Sequence, residues 1–394
     1  MQNQPSQNQL RKYFYRKAAA ARMPISGTFE LTPRCNMNCR MCYIRMAEDR
    51  NRQELSAAQW IDLGRSCCRQ GMLFLLLTGG EPFVRKDFQE IYTELKKLGL
   101  SISINTNGTL IDEKILQWLS ADPPAQVNVT LYGGGNDTYH RLCGHPTGFD
   151  AATRAVELMR AGGIPVQINS SFTRLNLQDM DGILSFGKSR KLRTGVATYM
   201  FPPVRNDRNG KCDGAVRLDP EQSGQARAKA ECLLYEPELL RLRLQALHAG
   251  CAGEGMPEEE CSRSPQEPLG CMAGRASFWV TWDGTMTPCG LMTGPAVQPL
   301  QTGFARAWED LTAQTAVLRL PPECGTCAMR HHCMICGAAA MAETGCTHKK
   351  PEYLCRQTRA YLDEMERKYQ DLSGAETESV PASRKNPCEQ LAYK

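Results

Sequence analysis

No apolar run in this 394-residue chain approaches the roughly 18–20 residues needed to span a membrane. Residues 1–24 are polar and basic and contain no apolar segment of the secretory type, so the expected location is cytoplasmic. No basic block is present, and the net charge of +5 is spread thinly, so neither a nucleic-acid nor a membrane partner is implied. What the chain has in quantity is cysteine, at nineteen residues. In a reducing compartment clustered cysteines mean metal more often than disulfides. Hydrophobic content of 42% and charge of 23% are ordinary for a globular protein and support a sizeable core. The length suits two domains, or one large domain with an appendage.

Three cysteines are concentrated in Thr32-Pro33-Arg34-Cys35-Asn36-Met37-Asn38-Cys39-Arg40-Met41-Cys42-Tyr43, at a CxxxCxxC spacing. Sulfurs so close in sequence converge only if the backbone loops around them, and Pro33 with Asn36 and Asn38 permits such a loop. Three thiolates leave one iron of a [4Fe–4S] cube without a ligand from this loop, which invites a small chelating molecule. A zinc site calls for a fourth ligand nearby, and none follows. Unrelated thiols and part of a zinc knot stand as the alternatives.

Around this loop the chain alternates strand and helix. Asn8 to Arg22 reads as a basic helix, and Gly27 to Leu31 as a strand entering the cysteine loop. A helix from Ser56 to Gln70, with Ser56 as N-cap, precedes a strand from Leu73 to Leu77 that ends in Thr78-Gly79-Gly80-Glu81-Pro82. Further strands are expected at Ser101–Asn105, Val127–Leu131, Val166–Ser170 and Val196–Phe201. Helices are expected at Lys86–Leu98, Glu113–Leu119, Phe149–Ala161 and Leu177–Ser189. Six strands at βαβ spacing predict an α/β fold whose parallel sheet is closed or nearly so, with the site at the strand C-termini. The stretch from Pro202 to Gly270 breaks the rhythm with two helices, near Pro220–Glu231 and Pro237–His248. The tail from Ser373 to Lys394 is polar and reads as disordered.

The sequence resembles the radical S-adenosylmethionine superfamily over about residues 26–360, with CxxxCxΦC as the hallmark and Met41 as Φ. The resemblance implies that Cys35, Cys39 and Cys42 hold a [4Fe–4S] cluster whose open iron takes the amino and carboxylate groups of S-adenosylmethionine. It also implies one-electron cleavage to a 5′-deoxyadenosyl radical, which abstracts a substrate hydrogen. Gly79-Gly80-Glu81-Pro82 looks like the motif that binds the methionyl amine; taken alone it is a plain strand-ending turn. Asn105-Thr106-Asn107-Gly108 resembles the next cofactor-facing loop. Thr130 and Arg141 occupy positions that resemble ribose and carboxylate contacts, although Arg141 reads equally as a solvated charge. Tyr43, beside Cys42, joins the implied cofactor set.

The C-terminal third holds a second cysteine system: Cys271, then Gly284, then Cys289, followed by Cys324-Gly325-Thr326-Cys327, Cys333, Cys336 and Cys355. It resembles the SPASM extension with two auxiliary clusters, and a zinc ribbon is the alternative that spacing allows. The family pattern gives Cys324, Cys327, Cys333 and Cys355 to the outer cluster and Cys271, Cys289 and Cys336 to the inner one, for three [4Fe–4S] clusters in all. The spacing before Cys336 departs from the pattern, which leaves Cys346 as its rival. Cys261 or Cys251 stands as a fourth inner ligand, unless that ligand is absent. Cys67, Cys68, Cys143, Cys212, Cys232 and Cys388 read as ordinary thiols. The implied organisation is an N-terminal helix (1–25), a partial (β/α)6 TIM-like barrel (26–201), a bridging helical segment (202–265), a SPASM domain (266–360), and a helix end with a disordered tail (361–394).

The resemblance implies oxidative modification of a ribosomally made peptide, by thioether or other crosslink formation. It also implies a one-electron donor such as flavodoxin or ferredoxin. Only about 25 residues precede the first strand, so leader recognition is expected from a separate protein or another surface. Sulfatase maturation and haem-precursor decarboxylation are the alternatives. Enzymes of the sulfatase-maturing kind carry an acid after the second SPASM cysteine, where this chain has Gly290. A non-catalytic iron–sulfur or zinc scaffold is the reading of another class, and it gives no reason for a GGEP motif. Thr198 to Arg205 is expected to line the site, and the glycines of Tyr132-Gly133-Gly134-Gly135 to admit an extended peptide.

Overall fold

The computed structural model describes residues 7–43, 53–202, 216–249 and 269–375. The chain divides into two compact units, one of Tyr13–Arg217 with Met272–Leu318, the other of Met1–Lys12, Leu218–Cys271 and Arg319–Lys394.

The first unit is a sheet flanked by helices. Its strands are β1 (Ser26–Glu30), β2 (Phe74–Thr78), β3 (Ser101–Thr106), β4 (Gln126–Thr130), β5 (Val166–Ser171), β6 (Thr194–Ala197), β7 (Ser277–Val280) and β8 (Met286–Thr287). The order is β6-β5-β4-β3-β2-β1-β7-β8; all neighbours are parallel except β7 and β8. Six strands match the sequence rhythm and make the parallel α/β sheet of a partial barrel. Two extend it past β1: Ser277–Val280 pairs in parallel with Ser26–Phe29. The sixth strand, expected at Val196–Phe201, begins and ends earlier, because its pairing with β5 runs from Ile168↔Thr194 to Ser171↔Ala197. The apolar residues beyond it are packed loop: Tyr199 is buried and meets Phe201 edge-on at 4.9 Å.

Period-two alternation decides what each face does. Phe29, Leu75, Leu77, Ile102, Ile104, Val127, Val129, Ile168, Phe278 and Val280 are all buried. Most of them form one core with Trp60, Leu63, Ile91 and Leu95 of the covering helices. The alternate residues are mostly polar, among them Thr28, Glu30, Ser103, Asn105, Gln126, Asn128, Thr130, Gln167 and Asn169, with Phe74, Leu76 and Trp279 as apolar exceptions. The helix Ala57–Arg69 starts at Ser56, which forms a reciprocal capping box with Gln59, as the sequence predicts. The helix Asn136–Cys143 is absent from the sequence reading. Its three preceding glycines disguise it, and eight residues carry too little periodicity to show.

In the second unit the helices Pro220–Leu234 and Pro237–His248 pack on Glu352–Ala375. That last helix runs two residues past the point where the sequence suggests disorder; residues 376–394 lie outside the described set. Gly224 permits the close crossing, since a Cβ there would lie 2.3 Å from the Gln357 carbonyl oxygen. Ala228, Leu244, Tyr361 and Met365 form the core. Within it Arg243 Nε donates to Glu231 Oε1 (2.8 Å) and Tyr361 Oη to Glu231 Oε2 (2.7 Å). Burial makes this pair far more costly to break than to keep. Arg243→Ala, which strips the Glu231 carboxylate of its cation, is expected to cost about 3–5 kcal/mol. Tyr361→Phe is expected to cost about 1 kcal/mol. Urea unfolding midpoints check both, and equal losses would contradict the assignment of the energy to the ion pair.

Candidate active site

The cysteine loop leaves β1 at the C-terminal edge of the sheet, and the loop after β2 lies directly against it. Gly80 N donates to Thr32 O (2.7 Å) and Glu81 N to Arg34 O (2.9 Å). The two backbones are so close that side chains are excluded: a Cβ on Gly79 would stand 2.7 Å from Thr32 O, and one on Gly80 2.4 Å from Arg34 O. The paired glycines thus serve the approach of backbone to backbone as well as an open cavity wall.

From the other side the loop hangs on the helix Asn136–Cys143. Asn38 N donates to Cys143 O (2.7 Å) and Arg40 N to Leu142 O (2.9 Å), which gives the last carbonyls of that helix partners. Across the top, Asn107 Nδ2 donates to Asn36 Oδ1 (2.9 Å) and Asn36 Nδ2 to Thr109 Oγ1 (2.8 Å).

Cys35, Cys39 and Cys42 line one cavity of about 640 Å³ together with Tyr43, Gly79, Gly80, Asn105, Asn107 and Thr130. Ligand sites are typically of this size. Tyr132, Asn169, Ser171 and Met200 also line it. Three soft thiols on one wall and ample space before them suit a [4Fe–4S] cluster with a further ligand. Burial pushes the Cys35 thiol up to about 12, a cost that bound metal reverses by stabilising the thiolate.

Three expected residues lie off the wall. Glu81 is wholly buried behind it. Its Oε1 accepts from Phe83 N (3.1 Å) and Thr106 Oγ1 (2.9 Å), and its Oε2 from Asn107 N (2.7 Å). It therefore ties the β2 and β3 loops together, and burial pushes it up to about 7. Pro82 opens the short 3-10 turn Pro82–Val84. Arg141 is exposed on its helix and reaches Thr138 Oγ1 at 3.4 Å. In Tyr132–Gly135 only the tyrosine faces the cavity, and Thr138 fills the space beside Gly133. Of Thr198–Arg205, Met200 lines the cavity, while residues 203–205 lie outside the described set.

A buried cation missed by sequence reading braces the loop from below. Arg85, 6% exposed, donates to the carbonyls of Leu31 (2.7 Å) and Leu55 (3.0 Å) and pairs with Asp87 (2.7 Å). The Arg85 guanidinium holds the Asp87 carboxyl below its usual range. Glu54 accepts from Thr32 Oγ1 (2.9 Å) and Arg34 Nε (2.7 Å). Nothing in Phe83-Val84-Arg85-Lys86-Asp87 marks the arginine as interior.

In the second unit Cys324, Cys327, Cys333 and Cys355 line a small cavity of about 40 Å³ with Arg330 and Lys350. That is roughly three times the space of one water. Among the described residues no three His, Cys, Asp or Glu side chains are arranged to hold a metal ion; the four thiols stand along one wall of this cavity. Burial, then the neighbouring Cys333, Cys355 and Cys327, push Cys324 up to about 11. Cys336 occupies the N-cap position of the helix Gly337–Thr344, and Cys346 N donates to Thr344 Oγ1 (3.4 Å); neither lines that cavity. Cys271 and Cys289 are half-buried. Cys212, Cys251, Cys261 and Cys388 lie outside the described residues.

Residues 29–186 match the Radical SAM superfamily. The AdoMet-dependent heme synthase of Methanosarcina barkeri is 28% identical over 333 residues, covering 80% of this chain and 92% of that protein. The sporulation killing factor maturation protein SkfB of Bacillus subtilis is 24% identical over 314 residues, 77% of this chain and 68% of its own length. The solved structure of native anSMEcpe with bound AdoMet superposes with a TM-score of 0.65 at 15% identity, over 89% of this chain and all of that one. No helix among the described residues is long and apolar enough to cross a membrane.

Two outcomes follow from the geometry. Gly80→Ala, which drives a methyl into the Arg34 carbonyl, is expected to lower Tm and the iron retained by the cysteine loop. Gly182→Ala, in open space at an exposed position of the helix Met180–Ser189, is expected to add about 0.5–1 kcal/mol. Equal behaviour of the two variants in calorimetry and iron analysis would sink the close-approach account. For Glu81, the folded chain keeps a proton between pH 4.5 and about 7 that the unfolded chain releases. Its stabilising contribution is complete below 4.5 and is lost as pH rises through about 7. The Tm of Glu81→Gln minus that of wild type is therefore expected to climb across this window, and a flat difference would refute it.

Proposed function

From the premise that residues 29–186 form a radical SAM domain, we propose that this protein cleaves S-adenosylmethionine reductively and oxidises a peptide side chain with the resulting radical. The observation that carries this is the convergence of Cys35, Cys39 and Cys42 with Gly79, Gly80, Asn105, Asn107 and Thr130 on one cavity. A scaffold protein has no use for such a pocket. When bound, the cluster and S-adenosylmethionine supply one-electron C–S cleavage and an adenosyl carbon that takes a hydrogen atom from the substrate.

The chain's own residues do the positioning. Cys35, Cys39 and Cys42 present thiolates from a loop fixed at Thr32, Arg34, Asn38 and Arg40. Gly79 and Gly80 give the wall its depth. Glu81, Pro82 and Arg141 stand back from the wall, so Tyr43, Asn107 and Thr130 are the nearer candidates for contact with the cofactor. The C-terminal cysteines are read as SPASM ligands. Cys324, Cys327, Cys333 and Cys355 hold the outer cluster, and Cys271, Cys289 and Cys336 the inner one, with three clusters in all. The wall formed by the first four supports this. A one-electron donor of flavodoxin or ferredoxin type and a separate leader-binding protein complete the proposed partners, in a cytoplasmic setting.

A second reading, decarboxylation of a haem precursor, is favoured by the relative named heme synthase, which aligns over 92% of its length. Substrate carboxylates distinguish it chemically from the peptide reading.

Replacing Cys35, Cys39 and Cys42 together with Ala is expected to abolish 5′-deoxyadenosine formation under dithionite. Anaerobically reconstituted wild type is expected to hold about twelve irons per chain and the variant about eight. Persistent cleavage in the triple variant refutes the radical site. About four irons with one or two zincs in wild type refutes the auxiliary clusters.

A further inference from the structure

The inward face of β3, β4 and β5 carries five amide side chains joined end to end. Asn128 Nδ2 donates to Asn105 Oδ1 (2.7 Å). Gln126 Nε2 donates both to Asn128 Oδ1 (2.8 Å) and to Gln167 Oε1 (2.6 Å). Gln167 Nε2 donates to Asn169 Oδ1 (3.1 Å). The strand register makes this possible, for Asn105 pairs with Asn128, and Asn128 with Gln167. Gly195 on β6 leaves the space, since a Cβ there would press on Asn169 Oδ1 at 2.8 Å.

The polarity of this ladder is constrained. Gln126 stands at its centre and turns one nitrogen to both neighbours, so the two arms run in opposite senses. Every ladder oxygen except that of Gln126 is used as an acceptor. The two terminal nitrogens, Asn105 Nδ2 and Asn169 Nδ2, have no hydrogen-bond partner among the described residues. Both terminal residues line the 640 Å³ cavity, whereas Gln126, Asn128 and Gln167 do not. The one alternative arrangement that keeps every nitrogen on an oxygen reverses all five amides and shows oxygen at both ends. The two ends thus always share one polarity, and in the arrangement of this structure both present N–H.

The cavity contains no Asp, Glu, Lys, Arg or His among its described lining residues. A carboxylate brought into such surroundings loses water and gains no counter-charge from the described residues of the lining. A neutral carbonyl loses far less and gains a full hydrogen bond from an amide N–H. The terminal amides lie on strands two spacings apart, a distance of roughly 10 Å, which about three residues of extended chain cover.

We propose that the ladder Asn105–Asn128–Gln126–Gln167–Asn169 positions the substrate by donating from its two ends to backbone carbonyls of an uncharged polypeptide segment. The site then takes a peptide and rejects a polycarboxylate macrocycle. This rests on the peptide reading above and decides it against the haem-precursor one. Asn105 and Asn169 touch the substrate; Gln126 is a positioning residue that sets their polarity from outside the cavity.

The test uses the reconstituted protein with S-adenosylmethionine and three fluorescent probes. Dansyl-tetraglycine amide carries carbonyls and N–H groups. Dansyl-tetrasarcosine dimethylamide, methylated at every nitrogen, carries carbonyls alone. Coproporphyrin III carries four carboxylates. Wild type is expected to bind both peptide probes in preference to the porphyrin. Gln126→Glu accepts from both neighbours, reverses the ladder, and is expected to weaken the sarcosine probe about tenfold, two hydrogen bonds' worth. The glycine probe, which also offers N–H groups, is expected to lose less. Unchanged sarcosine binding in Gln126→Glu, preference for the porphyrin, or failure of wild type to bind either peptide probe would each overturn the proposal. If Gln126→Glu does not fold, Asn169→Asp, which replaces one terminal donor by an acceptor, must weaken the sarcosine probe or the proposal falls. Wild type that forms no 5′-deoxyadenosine fails the radical reading separately, whatever the probes show.

Discussion

Two carbonyl oxygens of the cysteine loop, those of Thr32 and Arg34, are held by backbone N–H groups of the loop that follows β2. Everything at the site depends on how short that approach is. It is possible only where neither Gly79 nor Gly80 carries a side chain. Once the two loops touch, Glu81 is carried into the interior, and its carboxylate gathers Phe83 N, Thr106 Oγ1 and Asn107 N. Asn107 in turn reaches Asn36, so the β3 loop returns to the cysteines. A loop of three thiols is thereby fixed by backbone and neutral side chains on its cavity side, and by Arg85, Glu54 and Asp87 on the other. The charges sit where they brace the scaffold and away from where a cofactor and substrate would lie.

That separation runs through the sheet. The faces of β1 to β5 that meet the helices are Phe, Leu, Ile and Val, and they supply the burial that holds the unit together. The opposite faces give up that energy. On β3 to β5 it is Asn, Gln, Ser and Thr that stand there, and leaving their polar groups unpaired would cost more than omitting them. The amide ladder answers this by joining five side chains to one another, which leaves wholly unengaged amide nitrogens only at the cavity.

Legibility in the sequence followed the same physics. Strands with an apolar face show as alternation or runs, so β1 to β5 were readable within about two residues, and Ser56 announced its helix by cap chemistry. The cysteine spacing and the GGEP turn were readable because close approach demands particular residues. Arg85 was not, since an arginine becomes interior only through carbonyls contributed by Leu31 and Leu55, distant in the chain. The helix Asn136–Cys143 was hidden for a related reason: its role is to offer carbonyls to Asn38 and Arg40, and backbone carbonyls leave no mark in a sequence. β7 was missed because four residues, Ser277–Val280, gain their identity from pairing with β1, some 250 positions earlier.

The glycine at position 290 is the last case in which packing explains a residue type. Enzymes of the sulfatase-maturing kind carry a base-supplying acid directly after the second SPASM cysteine, the position that follows Cys289 here. A Cβ on Gly290 would lie 2.5 Å from the Trp279 indole, so any side chain there must displace the ring. The ring is not free to move, since its Nε1 donates to Glu30 Oε2 at 2.9 Å, and Glu30 is fully buried at the end of β1. Releasing the indole would take one hydrogen bond from a buried carboxylate. The acid is therefore incompatible with the Trp279–Glu30 pair, and the chain that keeps the pair must do without a base at 290. A site whose described lining bears no charge is consistent with that choice.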